Sequence, residues 1–467
     1  MSNVLGIDSS TQSSKVLVVS AETGEVQASG SAAHPDGTAI DPRSWTEALQ
    51  DAWGQARVSD FGSSVTAVAV GAQQHGMVAL DRANHPVFDA LLWNDTRSAP
   101  QAARMVTELG AESWASSTGL VPVPSFTITK LAWLFENHPE LARRVARVCL
   151  PHDWLNLQLA GAFTTDRSDA SGTGYFDPVS NEYQLSTLER YFGAVPELPK
   201  VLGPAERAGT LNDGWGLPKA VLAAGAGDNA AAALGLGIEP GEVVVSVGTS
   251  GTVFTSSTGP YRDSSGQIAG FADATGQYLP LLAMLNSART MSATAAMLRV
   301  NLGELDRLAQ AAPADAGGLL LLPYLDGERT PNLPTAQGTL LGLSRTSMTP
   351  ENLARASVLG VLNSLADAVE LIQADGVPVR RVLLIGGGSK SVALRQAAAS
   401  VLGVEVEVPA AGEYVALGAA RQAAWAVHGE YPRWKRRIEE RFEPDGSDWG
   451  AELRGRYVEA RKATYGV

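Results

Sequence analysis

The stretch Val4-Leu-Gly-Ile-Asp-Ser-Ser-Thr-Gln-Ser-Ser-Lys-Val-Leu-Val-Val19 places two apolar runs on either side of a polar segment. Runs rich in Val, Ile and Leu around a turn of small residues predict a β-hairpin. The pattern returns downstream, where Val243-Val-Val-Ser-Val247 and Thr252-Val-Phe254 flank Gly248-Thr-Ser-Gly251. Two similar hairpins separated by roughly half of the chain indicate an internal duplication, with one hairpin opening each of two domains.

The length of the chain also predicts two domains. Its 467 residues exceed what one hydrophobic core of ordinary size holds. Turn residues interrupt the pattern at Glu239-Pro-Gly241, so we predict domains over residues 1–240 and 241–467. Apolar runs at 65–70 and 382–385 and the alternating run at 404–408 predict further strands in both halves. The expected fold class is therefore α/β.

The segment 125–137 has the pattern of an amphipathic helix. Ile128, Leu131, Leu134 and Phe135 fall on one side of it, and Pro139 follows its end. A helix with these four residues on its apolar side is predicted here.

The composition narrows the class of protein. Hydrophobic residues make up 45% and charged residues 18% of the chain, as is typical of a globular protein rather than a disordered one. The net charge of −13 disfavours nucleic acid and anionic membranes as partners, since both repel an acidic surface. Cys149 is the single cysteine, which excludes an intramolecular disulfide and a cysteine-built zinc site. With neither a signal-peptide pattern nor a long apolar run, we expect a soluble cytoplasmic protein.

Three segments have the composition of phosphate or nucleotide sites. The turn between Asp8 and Ser14 offers backbone N–H groups that can hold an anion, beside a carboxylate that can hold Mg²⁺. Gly248-Thr-Ser-Gly251 is the matching turn in the second half, where glycine lets the backbone approach a ligand closely. Gly386-Gly-Gly-Ser389 follows an apolar run and precedes a helical pattern, although it matches neither the P-loop nor the dinucleotide fingerprint. Taken singly, each segment is also compatible with an ordinary turn.

Another set of polar residues suits a polyol. Asp228-Asn229 lies between a glycine-rich strand end and the helix-prone run that starts at Ala230. Asp228 there is either a helix N-cap or a general base, with Asn229 positioning a neighbouring hydroxyl. Gln74-His75 in a glycine-flanked turn and Trp93 supply hydrogen bonds and a flat apolar face. Only their joint presence points to a sugar site, because a lone His or Trp is usually structural.

Taken together and in this order, these segments resemble the FGGY carbohydrate kinases over nearly the whole chain. Ser125-Phe-Thr-Ile-Thr-Lys-Leu-Ala-Trp-Leu-Phe-Glu-Asn137 is similar to the first family signature. Gly338-Thr-Leu-Leu-Gly-Leu343, with the helical stretch at 354–359, is similar to the second. Matches to the branch of the family that phosphorylates D-xylulose are Gln74-His-Gly76, Leu92-Trp-Asn-Asp-Thr-Arg97, Ser168-Asp-Ala-Ser-Gly-Thr173, Gly227-Asp-Asn-Ala230, Pro323-Tyr-Leu-Asp-Gly-Glu-Arg-Thr330 and Ala416-Leu-Gly-Ala-Ala420.

The resemblance implies a fold and a set of site residues. The fold is two actin-like (ribonuclease H-like) domains with a ligand cleft between them, the N-terminal domain binding the sugar and the C-terminal domain the nucleotide. Asp228 becomes the catalytic base and Asp8 the residue near Mg²⁺. The sugar is implied to contact Gln74, His75, Trp93, Asp228 and Asn229. The phosphates of ATP are implied to contact Thr11, Gly248 and Thr249, and the adenosine Gly386 and Gly387.

The implied activity is the ATP-dependent phosphorylation of D-xylulose to D-xylulose 5-phosphate, with Mg²⁺. The acceptor stays open to another ketose or polyol, such as D-ribulose, gluconate or glycerol. An actin-like ATPase without a sugar substrate is a remote alternative from a different class. A small-molecule sugar is the expected partner, nucleic acid and membranes are not, and assembly as a homodimer is left open.

Three positions depart from the family pattern. Ser10 stands where the first hairpin usually has glycine, so the phosphate turn differs if that position needs a positive φ. Leu359 replaces an acidic residue near the end of the second signature. Gln73-Gln74 stands where the D-xylulose branch often has Gln-Met before the histidine, which keeps a different sugar in play.

Overall fold

The computed structural model describes residues 2–374 and 376–467, which divide into two compact units. The first unit comprises Met1–Gly237, Thr258–Leu279 and Gly412–Lys435, and the second comprises Ile238–Ser257, Pro280–Ala411 and Arg436–Val467. These units do not follow a single division at residue 240, because two later segments return to the first unit. A division based on turn residues alone has no means of detecting such a return.

The β-strands fall into sheets of mixed direction. Their bounds are β1 Asn3–Ser9, β2 Ser13–Ser20, β3 Val26–Ala33, β4 Ala39–Ile40, β5 Val65–Ala72, β6 Val78–Leu80, β7 Ala90–Leu91, β8 Arg147–Cys149, β9 Thr164–Asp166, β10 Phe176–Asp177, β11 Glu182–Tyr183, β12 Lys200–Leu202, β13 Arg207–Thr210, β14 Val221–Ala223, β15 Ala226–Gly227, β16 Glu242–Val247, β17 Gly251–Thr255, β18 Ala269–Ala272, β19 Tyr278–Met284, β20 Leu320–Leu322, β21 Thr339–Leu341, β22 Arg381–Ile385, β23 Glu405–Pro409 and β24 Ile438–Phe442.

The helices alternate with these strands. Their bounds are α1 Arg43–Gln55, α2 Ala99–Leu109, α3 Ala111–Thr118, α4 Thr127–Asn137, α5 Pro139–Ala142, α6 Pro151–Ala160, α7 Arg167–Ala170, α8 Leu185–Phe192, α9 Asp228–Leu236, α10 Ala288–Leu298, α11 Leu302–Ala311, α12 Pro350–Ala374, α13 Val392–Leu402, α14 Tyr414–His428 and α15 Trp449–Tyr465. Short 3₁₀ helices lie at Val58–Asp60, Gly62–Ser64, Asp213–Trp215, Ala316–Gly318 and Gly387–Lys390. The α/β class predicted from the sequence is confirmed.

The first unit is built on a sheet with the strand order β13-β14-β5-β1-β2-β3. The predicted hairpin is confirmed: β1 runs antiparallel to β2, with Asp8 opposite Lys15. On its other side β1 runs parallel to β5, so both strands end at the same edge of the sheet. Alternate residues of these strands face opposite sides. Side chains of α1 and α6, such as Trp45 and Leu155, pack on one face of this sheet.

Helix α14 covers the other face of the same sheet, and small residues explain why it returns to the first unit. A Cβ added at Gly6 of β1 would lie 1.7 Å from the carbonyl oxygen of Ala416. A Cβ at Gly418 would lie 1.8 Å from the carbonyl oxygen of Ala231 on α9. Since no real side chain fits at such distances, glycine at these positions permits backbone-to-backbone packing. This packing joins residues 412–435 to the first unit.

The second unit repeats the pattern of the first. Strands β19, β17, β16, β22, β23 and β24 lie side by side in that order. The second predicted hairpin is confirmed, since β16 and β17 pair antiparallel from Val243 opposite Thr255 to Val247 opposite Gly251. Strand β22 runs parallel to β16, as β5 does to β1. The repeated arrangement agrees with the internal duplication predicted from the sequence.

Helix α12 is the central helix of the second unit. Among the described residues it alone is long and apolar enough to cross a membrane, and 83% of its most apolar window is buried inside the protein. It also carries buried polar side chains, among them Asn363 and Asp367. Asp367 accepts a hydrogen bond from Arg454 at 2.8 Å. These features are typical of a core helix of a globular protein.

Candidate active site

Asp228 is the first residue of α9, and Gly227 before it occupies the N-cap position. The side chain of Asp228 is therefore not the helix cap. Its Oδ1 accepts hydrogen bonds from the backbone N–H of Asn229 at 2.7 Å and from the Asn229 Nδ2 at 2.8 Å. Burial raises the pKa of this carboxyl group to about 6, although the bonds from Asn229 act to lower it. The residue is still partly exposed, so the carboxylate is accessible from solvent. Its pKa of about 6 makes it suited to accept a proton near neutral pH.

Gln74 connects Asn229 to helix α7. Its Oε1 accepts a hydrogen bond from the Asn229 Nδ2 at 3.3 Å, and its Nε2 donates to the carbonyl oxygen of Ser168 at 3.3 Å. The side chain of Gln74 is buried, and bonds at both ends of its amide fix its orientation. Three of the residues predicted for the sugar, Gln74, Asp228 and Asn229, thus form one connected group.

His75 lies in the turn after β5 with a left-handed backbone, at a φ of 68°. Such a conformation is uncommon for residues other than glycine. The carbonyl oxygen of His75 accepts hydrogen bonds from Lys130 Nζ at 3.0 Å and from Thr127 Oγ1 at 3.1 Å. Its ring Nδ1 lies 2.8 Å from the carbonyl oxygen of Gly172. Since a carbonyl oxygen only accepts, Nδ1 carries a proton, and the ring orientation is fixed.

Lys130 on α4 is a residue for which the sequence predicts no role. Its side chain is fully buried, and its ammonium group donates to the carbonyl oxygens of His75 and Ser125. Burial lowers the pKa of this amine to about 7, and the charge of Asp95 opposes that shift. One feature of the sequence could have revealed this role: a lysine lies inside the apolar helical segment of the first family signature. The signature segment therefore supports the turn that holds His75.

Trp93 and Thr11 contact each other, although they were predicted for the sugar and for the phosphates respectively. Trp93 Nε1 donates to Thr11 Oγ1 at 2.8 Å, and Thr11 Oγ1 lies 3.5 Å from Gln73 Oε1. Gln73 is fully buried, and its Nε2 has no hydrogen-bond partner within the part of the chain that the structure describes. These side chains connect the β1–β2 turn to the turn after β5.

Asp8 near the end of β1 fits the role of a magnesium ligand. Its carboxyl group is buried, and its Oδ1 has no hydrogen-bond partner among residues 2–374 and 376–467. Its Oδ2 lies 3.6 Å from Lys15 Nζ, which also donates to Glu413 at 2.6 Å. Burial raises the pKa of Asp8 to about 7; Lys15 lowers it, and Asp228 is close enough to raise it. An unpartnered carboxylate oxygen is the type of donor that Mg²⁺ prefers, so the residue fits the ion.

The predicted ATP residues of the second unit lie in two adjacent loops. Gly248 and Thr249 form the turn between β16 and β17, and Gly386 and Gly387 follow β22. Because β16 and β22 are parallel neighbours, both loops leave the sheet at the same edge. Gly386 has a φ of 90°, and a Cβ there would lie 2.7 Å from the carbonyl oxygen of Val247. The loops are therefore close together, and Thr249, Gly386 and Gly387 are exposed.

Two departures from the family pattern are accommodated without strain. Ser10 is not among the residues with positive φ, and its backbone N–H donates to the carbonyl oxygen of Ser13 at 3.0 Å. Leu359 is 2% exposed inside α12, so it is a core residue.

The structure places the predicted site residues in two groups. The side-chain group of the first unit contains Asp8, Thr11, Gln74, His75, Trp93, Asp228 and Asn229. The loop group of the second unit contains Gly248, Thr249, Gly386 and Gly387. Ser168, for which the sequence predicts no role, contacts the first group through Gln74.

Comparison with known proteins covers nearly the whole chain. The profile described as the N-terminal domain of the FGGY family of carbohydrate kinases matches residues 3–235, and the profile of its C-terminal domain matches residues 243–427. A xylulose kinase of Streptomyces coelicolor is 48% identical over 91% of this chain and 88% of its own. One of Streptomyces rubiginosus is 46% identical over 92% of this chain and 90% of its own. The crystal structure of xylulose kinase from Bifidobacterium adolescentis, at 43% identity, has a TM-score of 0.90 and covers 98% of this chain and 99% of that one.

Proposed function

This chain belongs to the FGGY family of carbohydrate kinases, and from that premise we propose that it transfers the γ-phosphoryl group of ATP to D-xylulose, giving D-xylulose 5-phosphate and ADP. The relatives named xylulose kinase support D-xylulose as the acceptor. The observation that carries the proposal is the carboxyl group of Asp228. It is partly exposed, it is oriented by Asn229, and its pKa is raised to about 6.

Asp228 acts as the general base in the proposed reaction. The terminal hydroxyl oxygen of the sugar attacks the γ-phosphorus, the bond from that phosphorus to the ADP oxygen breaks, and the hydroxyl proton passes to the carboxylate. Both hydrogen bonds from Asn229 go to Oδ1, so we assign Oδ2 as the proton acceptor. Because little covalent chemistry falls to the protein in phosphoryl transfer, positioning and charge stabilisation carry most of the catalysis.

In this proposal the sugar is bound by the side-chain group of the first unit. Gln74 and Asn229 present amide groups that can pair with hydroxyls, and the ring of His75 is held in place by Gly172. Trp93 offers a flat face, and its indole is oriented by the bond to Thr11. A ketopentose has one hydroxyl on most of its carbons, so a set of fixed donors and acceptors distinguishes it from an apolar molecule.

ATP is held by backbone groups in this proposal. Thr11 and the loop with Gly248 and Thr249 bind phosphates, and Gly386 and Gly387 approach the adenosine. Mg²⁺ bound near the unpartnered oxygen of Asp8 would neutralise part of the charge on the phosphates. Lys15 beside Asp8 keeps a positive charge close to the same region.

A coupled ADP-release assay over a panel of acceptors tests the proposal. We expect D-xylulose to give the highest kcat/KM, compared with D-ribulose, glycerol and gluconate, and ADP release without a sugar to be slow. A higher kcat/KM for another compound would reassign the acceptor and leave the kinase chemistry in place. ADP release that no sugar stimulates would instead favour an ATPase without a sugar substrate.

D-ribulose is the second acceptor to consider. Gln74 replaces the methionine that the D-xylulose branch often has, and its amide bonds to Asn229 beside the base. We infer that the amide of Gln74 meets a sugar hydroxyl that a methionine would not bind, and so alters the preferred hydroxyl configuration. The ratio of the kcat/KM values for the two ketopentoses, measured in wild type and in Gln74→Met, tests that effect.

Two further properties of the protein are its cellular location and its assembly. We place the enzyme in the cytoplasm, where ATP is available, and we expect neither nucleic acid nor a membrane as partner because of the net charge of −13. Assembly as a homodimer stays a prediction that size-exclusion chromatography with light scattering can test.

A further inference from the structure

We propose that Ser168 is a positioning residue for Asp228, which it holds in place through the backbone N–H of Gly227. The inference rests on the proposed function, since it concerns the residue assigned as the base. Ser168 lies on the short helix α7 and is fully buried. It does not contact the carboxyl group of Asp228 by any bond that the structure describes, so its effect on the base is indirect.

The hydroxyl group of Ser168 has two partners that fix its direction. Its Oγ donates to Asp166 Oδ2 at 2.6 Å and accepts from the backbone N–H of Gly227 at 3.1 Å. A short bond to a carboxylate is a strong one, so the hydroxyl hydrogen is committed to Asp166. The oxygen lone pairs are then available to the N–H of Gly227.

Asp166 is itself held rigidly at the N-terminus of α7. It is the N-cap residue, and its carboxylate accepts from the backbone N–H of Ser168 at 2.7 Å and from that of Asp169 at 3.0 Å. Its side chain is buried. The hydroxyl of Ser168 is thus attached to a fixed support rather than to a mobile side chain.

The contact at Gly227 matters because of where this residue lies. Gly227 ends β15, pairs with Ala72 of β5, and is the N-cap of the helix that begins with Asp228. A shift of its backbone moves the Cα of the next residue and therefore the carboxylate. If the hydroxyl were removed, a buried N–H would lose a partner and the loop would relax toward another one.

A second contact of Ser168 separates two effects. The backbone carbonyl oxygen of Ser168 accepts the bond from Gln74 Nε2, and Gln74 in turn orients Asn229. The substitution Ser168→Ala removes the hydroxyl but keeps this carbonyl. Gln74 should keep its contacts with the sugar, whereas the carboxylate of Asp228 should be displaced. The expected signature is a lower kcat with an almost unchanged KM for D-xylulose.

Ser171 provides a matched control. It is also fully buried, its Oγ accepts from a backbone N–H, that of Ala272, at 3.0 Å, and it donates to the carbonyl oxygen of Ser168 at 2.7 Å. Ser171→Ala therefore also removes one hydroxyl and leaves one buried N–H without its partner. Its N–H partner is not next to Asp228.

The experiment compares Ser168→Ala, Ser171→Ala and wild type in the D-xylulose assay, together with their Tm values. We expect both variants to lose similar stability, Ser168→Ala to lose about tenfold or more in kcat, and Ser171→Ala to stay within about twofold, since displacing a reacting group by ~1 Å can cost roughly 100-fold. If Ser168→Ala does not fold, Ser168→Cys, which is somewhat larger than serine and offers only a weak acceptor, should show the same kcat loss.

The outcomes are distinguishable. Equal kcat losses in the Ser168 and Ser171 variants, a kcat for Ser168→Ala or Ser168→Cys near that of wild type, or a loss confined to KM would each overturn the positioning role. Inactivity of the wild-type protein toward D-xylulose would reject the proposed function instead. A fall in kcat for Ser168→Ala but not for Ser171→Ala, together with a near-normal kcat for Ser168→Thr, which keeps a hydroxyl, would support the inference.

Discussion

The two groups of site residues are held by different means. In the first unit, hydrogen bonds made by side chains hold the site: Asn229 bonds to Asp228 and Gln74, Trp93 bonds to Thr11, and Lys130 bonds to the backbone of His75. In the second unit, the predicted ATP residues are glycines and one exposed threonine on two loops. Substitutions of side chains should therefore have large effects in the first unit. In the second unit the decisive property is the backbone conformation.

The largest effect is expected at the base. Asp228→Ala should lower kcat at least roughly 100-fold, because general-base assistance contributes typically 10²–10⁴-fold. The fold should persist, which circular dichroism and Tm can verify. Asp213→Ala, at an exposed position of the same unit, is the control and should keep the turnover of wild type. Near-normal turnover of the Asp228 variant would remove this residue from the role of base.

A smaller effect is expected at the support of His75. Lys130→Met should lower kcat/KM for D-xylulose about tenfold, since the loss of a buried hydrogen bond to a charged group costs about 1.5–3 kcal/mol. The Tm should fall as well. Lys219→Met, which changes an exposed lysine of the same unit, is the control. If both variants behave like wild type in the coupled assay, the turn that carries His75 does not depend on the lysine.

The loops of the second unit provide a pair of glycines that differ in conformation. Gly386 has a φ of 90° and an obstructed Cβ position, whereas Gly387 has open space around it. Gly386→Ala should raise the KM for ATP severalfold, because a backbone conformation reserved for glycine costs about 1–3 kcal/mol for other residues. The KM for D-xylulose should change little, and Gly387→Ala should resemble wild type. Equal KM values for ATP in the two variants would contradict a backbone-based nucleotide site.

The smallest effect concerns stability. Folding raises the pKa of Asp228 from 3.8 to about 6, so the protonated form is favoured in the folded state. The protonated carboxyl group of Asp228 therefore adds to the free energy of unfolding. This contribution is fully present below pH 3.8 and is lost as the pH rises through about 6. The free energy of unfolding of Asp228→Asn, relative to that of wild type, should therefore rise by about 1 kcal/mol between pH 4 and pH 8, after allowance for partial exposure. Urea unfolding at both pH values measures the difference, and a constant difference would speak against the shifted pKa.

The sequence predicted the parts of the fold that depend on local patterns. Both hairpins follow from apolar runs around small-residue turns, and their strands lie where expected. The return of α14 to the first unit was not predicted. Its alanine- and glycine-rich face resembles that of many helices, and its partner Gly6 lies some 400 residues away. Local periodicity carries no information about such a distant contact.

The apolar side of α4 shows the same limit at a smaller scale. Ile128, Leu131 and Leu134 are buried as predicted, but Phe135 is 42% exposed and packs at the edge of Phe192. Lys130 is fully buried on the same helix, where a lysine is normally expected to be solvated. The carbonyl oxygens that receive its protons belong to turns whose backbone conformation the sequence does not reveal.

The site residues were predicted from the family resemblance, and their connections came from the structure. No role for Ser168 follows from its motif, because serine in a motif is compatible with many contacts. Its position between Asp166 and Gly227 depends on the packing of α7 against β15. The assignment of Asp228 as the base is still a prediction and needs a test of its protonation.

The pH dependence of kcat/KM for D-xylulose, compared in wild type and Asp228→Asn, tests the assignment most directly. Because the base must be deprotonated, we expect the activity of wild type to fall as the pH drops through about 6. The variant should keep only a residual rate that lacks this acid limb. Asp8 is present in both proteins, so an acid limb caused by Asp8 would persist in the variant, at a lower pH because the charge of Asp228 that raises the pKa of Asp8 is gone. An acid limb that is the same in both proteins, with similar rates at pH 8, would contradict the account.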